Sequence, residues 1–230
     1  MEAPVSDPFR IVVPLFEGVT HLDFTGPHQV FSRLPRTESV VASKGGVDIE
    51  ADGLTFTGLA DLSAIETCNL LCVPGGFGTT GAMMDEVFMA DIRRLAASAR
   101  YITSVCTGSL ILGAAGLLNG KRAACHWQWR DLLPLFGAIP DPARVARDGN
   151  IITGGGVTAG IDFALVVAAE LAGEEVAQMI QLGLEYAPAP PFNSGRPETA
   201  PPGLAEKLEQ RMAALAPSRR EAAQAAAARL

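Results

Sequence analysis

In YITSVCTGSLILGAAGLL, residues 101–118, a cysteine stands where an apolar strand gives way to threonine, glycine and serine. A strand, a sharp turn and a helix in that order lift the central residue, Cys106, out of the sheet, as in the elbow used by many nucleophiles. The backbone N–H groups of the following turn and the positive end of the helix favour thiolate over thiol. They predict a pKa below the ordinary value of about 8.5. Gly108 is expected to ease the tight path into the helix. The competing reading is a buried strand-end cysteine; the turn residues behind Cys106 favour the nucleophile.

Other segments could meet that thiol. PGGFGTTG, 74–81, follows an apolar run and supplies flexible backbone, so Gly75, Gly76 and Phe77 are candidates for holding a substrate or a developing oxyanion. The segment can also be read as a phosphate nest, but it lacks the G-K-[ST] ending of a P-loop. GGGVTAG, 154–160, has glycines without a ribose-binding acid in register, and close helix–sheet packing explains them more simply than a dinucleotide site. Asp23, in THLDFTGP, is the acidic candidate, against an ordinary role in a turn or cap. Thr107 can hold a polar ligand through its hydroxyl or N–H. His126, in ACHWQWR, can serve as a base for Cys106 or cap a helix beginning at Trp127, and His21 and His28 flank Asp23.

The elements that must position these groups follow a repeating order. FRIVVPLF (9–16), SVVASKGG (39–46), NLLCVPGG (69–76), YITSV (101–105), the stretch around Arg122–Cys125 and NIITGG (150–155) read as strands. EGVTHLDFTGP reads as a turn before a helix carrying His28 to Leu34. VDIEADGLTFTG reads as a hairpin about Asp52-Gly53. DEVFMADIRRLAASAR, 85–100, reads as a helix with Val87, Ile92, Leu95 and Ala96 or Ala99 facing inward. Continuous apolar strands alternating with helices predict an α/β, doubly wound, mostly parallel sheet with helices on both faces. Ligands of such sheets collect beyond the carboxyl ends of the strands, where 17–27, 74–81 and 104–109 are expected to meet. The division expected is a domain over 1–186 and a tail over 187–230. The tail has a proline-rich, non-helical part over 185–203 and one or two alanine-rich helices packed on the domain or on a partner chain.

Composition narrows the function classes. The 230 residues carry a formal net charge of −7, which argues against a broad grip on nucleic-acid phosphates. Cys68, Cys72, Cys106 and Cys125 have no partners at metal-ligand spacing, so no metal site is expected and reduced thiols in the cytoplasm are the simpler reading. MEAPVSDP lacks a basic region and a long apolar core, so no signal peptide is expected there. The apolar helices near 107–118 and 157–172 are interrupted by glycine or aspartate and are too short for membrane spans.

Taken together, LFEGVTHLDFTGP, CVPGGFGTTGAM, YITSVCTGSLILGAAGLLNGKRAACHW and ITGGGVTAGIDFAL resemble the DJ-1/PfpI superfamily over roughly residues 9–186, and within it the isocyanide hydratases. The resemblance implies a flavodoxin-like sheet, Cys106 as nucleophile, and Asp23 where many members carry a glutamate. Thr107 falls beside the nucleophile on a substrate-binding position, Gly75 and Gly76 on the turn that approaches the cysteine, and His126 on a supporting histidine. It implies addition of water to an isocyanide, giving an N-substituted formamide through a cysteine thioimidate, with no cofactor and no metal. Apart from the resemblance, the alanine-rich tail points to a homodimer, and the acidic charge, the lack of a basic recognition helix and the short apolar helices predict no nucleic-acid or membrane partner. Ser104 breaks the G-x-C-x-G pattern of related amidotransferases. The alternatives are a cysteine enzyme acting on carbonyls (a peptidase, an α-oxoaldehyde hydratase or a deglycase-like protein) and a thiol redox sensor or regulatory module.

Overall fold

The computed structural model describes residues 8–230, so most of MEAPVSDP, read above for a signal peptide, lies outside the described residues. The β-branched run of Phe9–Leu15 (β1) forms a central strand whose inner residues are buried. Helix His21–Phe31 (α1) follows, then strand Thr37–Ser43 (β2) and the hairpin Ile49–Ala51 (β3) with Leu54–Phe56 (β4), turning at Asp52-Gly53 as expected. The short strand Ala60–Asp61 (β5) precedes Leu70–Val73 (β6), the helices Thr79–Met84 (α2) and Glu86–Ser98 (α3), and Tyr101–Val105 (β7). Helix Gly108–Ala114 (α4) leads to Arg122–Ala123 (β8), a 3₁₀ run over Trp127–Phe136, and Ile139–Pro140 (β9). Val145–Asp148 (β10), Ile151–Gly154 (β11), Ala159–Ala172 (α5) and Glu174–Gly183 (α6) complete the layers. The tail adds Leu204–Met212 (α7) and Ala216–Ala227 (α8).

The main sheet runs β10-β11-β7-β6-β1-β2-β5, parallel throughout except where β10 meets β11. From β2 to β11 this is the doubly wound order 2-1-3-4-5, with its topological switch between β1 and β6. Helices α1, α5 and α6 pack together on one face, and α2, α3, α4 and α8 on the other. The fold class read from the sequence is the one observed.

Three local expectations are corrected. The first helix begins at His21 rather than His28, because interhelical packing overrides the turn signal of Thr25-Gly26-Pro27. Gly26 lies against Ile161, and Pro27 fills the space beside Gly160. Ile92, Leu95 and Ala96 face inward as expected, but Val87 is exposed; Asp85 caps α3 through the N–H groups of Val87 and Phe88, and Phe88 and Met89 turn inward in place of Val87. The strand near Arg122–Cys125 forms but is limited to Arg122–Ala123 and pairs with β9 outside the main sheet, and the helix expected from Trp127 winds as 3₁₀.

Candidate active site

The three expected turns do converge beyond the carboxyl ends of β1, β6 and β7. Cys106 has a φ of 58°, a left-handed conformation that costs a non-glycine residue roughly 1–2 kcal/mol. Strain of this kind persists only where the surrounding structure enforces it, commonly at functional sites. Its enforcers are visible: the Cys106 N–H donates to the Gly154 carbonyl at 3.1 Å, and Gly108 packs directly on the Val73 carbonyl, where a Cβ would collide. Gly108 is therefore required by close approach of α4 to β6, and its own φ is not positive.

Asp23 enters from the first turn of α1 with no exposed surface, and Cys106 is only 5% exposed. The Asp23 Oδ2 atom accepts the Gly75 N–H at 2.9 Å, while Oδ1 is buried with no hydrogen-bond partner among the described residues. The carboxyl and the Cys106 thiol act directly on each other. Burial raises the Asp23 pKa from 3.8 to about 7, against the lowering effect of the Gly75 N–H and the thiol. Burial, then the Asp23 charge, pushes the Cys106 thiol well above its ordinary value; the Thr107 N–H opposes this but does not win. The expected lowering by the helix end is thus overturned: α4 is only seven residues long and wholly buried, so its partial charge is outweighed by desolvation and a neighbouring acid. Two anions are disfavoured here, so the pair holds two protons below about pH 7 and, above it, one proton between sulfur and carboxylate.

The glycine turn is already committed to the protein. The Gly75 N–H serves Asp23, and the Gly76 N–H donates to Thr107 Oγ1 at 2.9 Å. Thr107 Oγ1 also lies 2.8 Å from Thr79 Oγ1, so this hydroxyl knits the turn to the elbow. Gly76 has a φ of 148°, and a side chain there would strike the Gly18–Thr20 backbone. The Phe77 side chain is 60% exposed. His126 takes the capping role weighed above: Nδ1 accepts the Gln128 N–H at 3.4 Å, the ring stacks on Trp127, and burial lowers its pKa to about 4. It therefore stays neutral at physiological pH. His21 and His28 lie on α1, and His28 Nδ1 pairs with Ser39 Oγ at 3.0 Å. Among the described residues no cluster of histidine, cysteine, aspartate and glutamate could hold a metal ion, and all four cysteines are free thiols. Among the described residues, no helix is long and apolar enough to cross a membrane.

Sequence reasoning missed Arg219. From α8 its guanidinium donates to the Gly76 and Phe77 carbonyls at 3.0 and 2.9 Å and to Thr80 Oγ1 at 3.2 Å, and stacks 4.4 Å above Trp129. A signal was present: Arg219, Ala222, Ala223 and Ala226 share one helix face, and all four are buried. An arginine at that spacing on a small-residue face must bury its charge against acceptors.

Comparison with known proteins agrees with this architecture. The isonitrile hydratase of Pseudomonas putida is 51% identical over 219 residues, covering 94% of this chain and 95% of its own. The crystal structure of a ThiJ/PfpI family protein from Pseudomonas syringae superposes with a TM-score of 0.90 at 41% identity, covering 98% of this chain and 93% of that one. Drosophila melanogaster DJ-1beta superposes with a TM-score of 0.70 at 24% identity, over 79% of this chain and all of its own, and so shares the fold. The DJ-1/PfpI family model matches residues 9–170, a span that holds β1 through most of α5 and with them Asp23, the glycine turn and the Cys106 elbow. The chain belongs to the DJ-1/PfpI family.

Proposed function

We propose that this chain is an isocyanide hydratase, converting R–N≡C and water to R–NH–CHO through a thioimidate on Cys106. The observation that carries this reading is the buried Cys106–Asp23 pair, with the unpartnered Asp23 Oδ1 free to pass a proton. The near-full-length likeness to an isonitrile hydratase supports the choice of substrate. An isocyanide is a thin rod whose terminal carbon can reach a thiol that is only 5% exposed, whereas a bulky acyl group would meet the closed backbone around it.

Each step balances. As sulfur attacks the terminal carbon, the shared proton reaches that carbon through Asp23, giving R–N=CH–S–Cys106. Asp23, again a carboxylate, takes a proton from water as its oxygen adds to the same carbon, and the nitrogen gains that proton. Collapse of R–NH–CH(OH)–S–Cys106 breaks the C–S bond, releases the formamide and returns the proton to the pair. Thr107 contributes its N–H beside the sulfur, and its hydroxyl holds Gly76 and Thr79 in place. Gly75 supports the site by fixing Asp23. Gly76 and Phe77 line the approach to it, and His126 braces the neighbouring 3₁₀ run as its cap. The chemistry requires no redox or metal step.

The setting is a homodimer in the cytoplasm, with no nucleic acid or membrane as partner. Four free thiols support a reducing compartment, and Leu182 and Phe192, both nearly fully exposed, support a partner chain. The test is steady-state hydration of aryl and alkyl isocyanides by the wild type beside C106A. Formamide at about 1 s⁻¹ or faster, lost in C106A, is the expected result; no turnover on any isocyanide refutes the assignment.

A further inference from the structure

The glycine turn is held from three sides. Its Gly75 carbonyl accepts the Thr20 N–H at 2.9 Å from the loop after β1, its Gly76 N–H is taken by Thr107 at the elbow, and its outer carbonyls are taken by Arg219. The first two contacts come from the sheet edge itself. The third comes from a helix at the far end of the chain, and it is the only one of the three that carries charge. Arg219 is 2% exposed, has no carboxylate partner among the described residues, and directs its donors at backbone and a threonine hydroxyl. Burying a charge without an ion-pair partner is costly, and here the hydrogen bonds to the turn and the stacking on Trp129 offset that cost.

We infer that Arg219 is a positioning residue of the active site: its guanidinium clamps the Gly76 and Phe77 carbonyls, so that the opposite edge of the same turn keeps the Gly75 N–H on Asp23 and the Gly76 N–H on Thr107. The alanine face of α8 exists on this account to seat that side chain, with Ala222, Ala223 and Ala226 letting the helix approach α2 and α4 closely.

The test compares wild type, R219Q, R219K and R220Q. Arg220 lies on the same helix but is half-exposed and pairs with Asp131 at the surface, so R220Q controls for loss of a charge from α8. Two readouts are taken: kcat and KM for isocyanide hydration, and the rate of iodoacetamide alkylation at the Cys106 peptide followed by mass spectrometry. R219Q is expected to lose about 10- to 100-fold in kcat with KM within about 3-fold, since a sub-ångström misplacement of reacting groups has effects of this size. Lysine keeps the charge but loses the fork and the ring stacking, so R219K should fall about 3- to 10-fold. R220Q should match wild type. The alkylation rates should follow the same order.

R219Q within 2-fold of wild type in both readouts overturns the inference, as does R220Q falling as far as R219Q. Should R219Q fail to fold by circular dichroism, R219K decides, and wild-type kcat and alkylation in R219K overturn it. The turnover arm rests on the hydratase reading, whereas alkylation does not. If the wild type hydrates no isocyanide, that reading fails and the alkylation order alone decides the role of Arg219.

Discussion

Replacing Asp23 with asparagine should abolish turnover and yet stabilise the protein, by an amount that depends on pH. The carboxyl is wholly buried, and its pKa rises from 3.8 to about 7, with burial as the leading cause. At 1.36 kcal/mol for each pH unit, ionised Asp23 costs the folded state roughly 4 kcal/mol. The sign follows from the raised value: the stabilisation from a protonated Asp23 is fully present below pH 3.8 and is lost as pH rises through about 7. Asparagine keeps an oxygen to accept the Gly75 N–H and carries no charge to desolvate. The excess stability of D23N over wild type should therefore be near zero at pH 4 and grow to at most about 4 kcal/mol above pH 8, equivalent to roughly 10 °C in Tm for a chain of this size. Urea unfolding at pH 4.5, 6, 7 and 8.5 measures the difference, and acid effects common to both proteins cancel. A difference that does not change with pH, or a D23N protein less stable than wild type at pH 8.5, refutes the claim that Asp23 is held protonated by burial.

Other expectations follow from the same geometry. The hydration rate kcat/KM of the wild type should rise from pH 5 to pH 8 with an apparent midpoint near 7, as one proton leaves the Cys106–Asp23 pair, which a pH–rate profile reads directly. C106A and C106G should both be inactive, but C106G should be the more stable by up to about 1 kcal/mol, because alanine must still adopt the φ of 58° that glycine takes freely; thermal unfolding of the two variants reads this directly. G108A should cost about 3 kcal/mol or more by driving a methyl into the Val73 carbonyl, whereas G81A, whose Cβ meets open space within α2, should be neutral or stabilising by up to about 1 kcal/mol in chemical denaturation.

Much of this fold was legible because its signals are local and repeated. Apolar β-branched runs alternating with helical periodicity are a property of each segment, so the parallel sheet and the convergence of its turns could be read directly. Cys106 was legible for the same reason, since strand, turn and helix lie within one short stretch. Asp23 was found as the acidic candidate but set in a turn rather than on a helix, because the packing of Gly26 and Pro27 on α5 involves residues that are distant in sequence. The protonation of the site was misread from the elbow alone: the thiol sits next to a buried acid, and only the folded structure brings the two together. Arg219 was hidden by distance along the chain. Its alanine face marks it as buried, but nothing in the tail says that its acceptors are the carbonyls of Gly76 and Phe77.

The central claim is that chemistry passes through a covalent adduct on Cys106 served by Asp23. Rapid-quench intact-mass spectrometry with an aryl isocyanide tests it most directly. A transient species heavier than the protein by the mass of one isocyanide, mapped to the Cys106 peptide, decaying at the rate of formamide release and absent in C106A, is predicted. Formamide released by C106A at the wild-type rate, or an adduct at Cys68, Cys72 or Cys125 in place of Cys106, would contradict it.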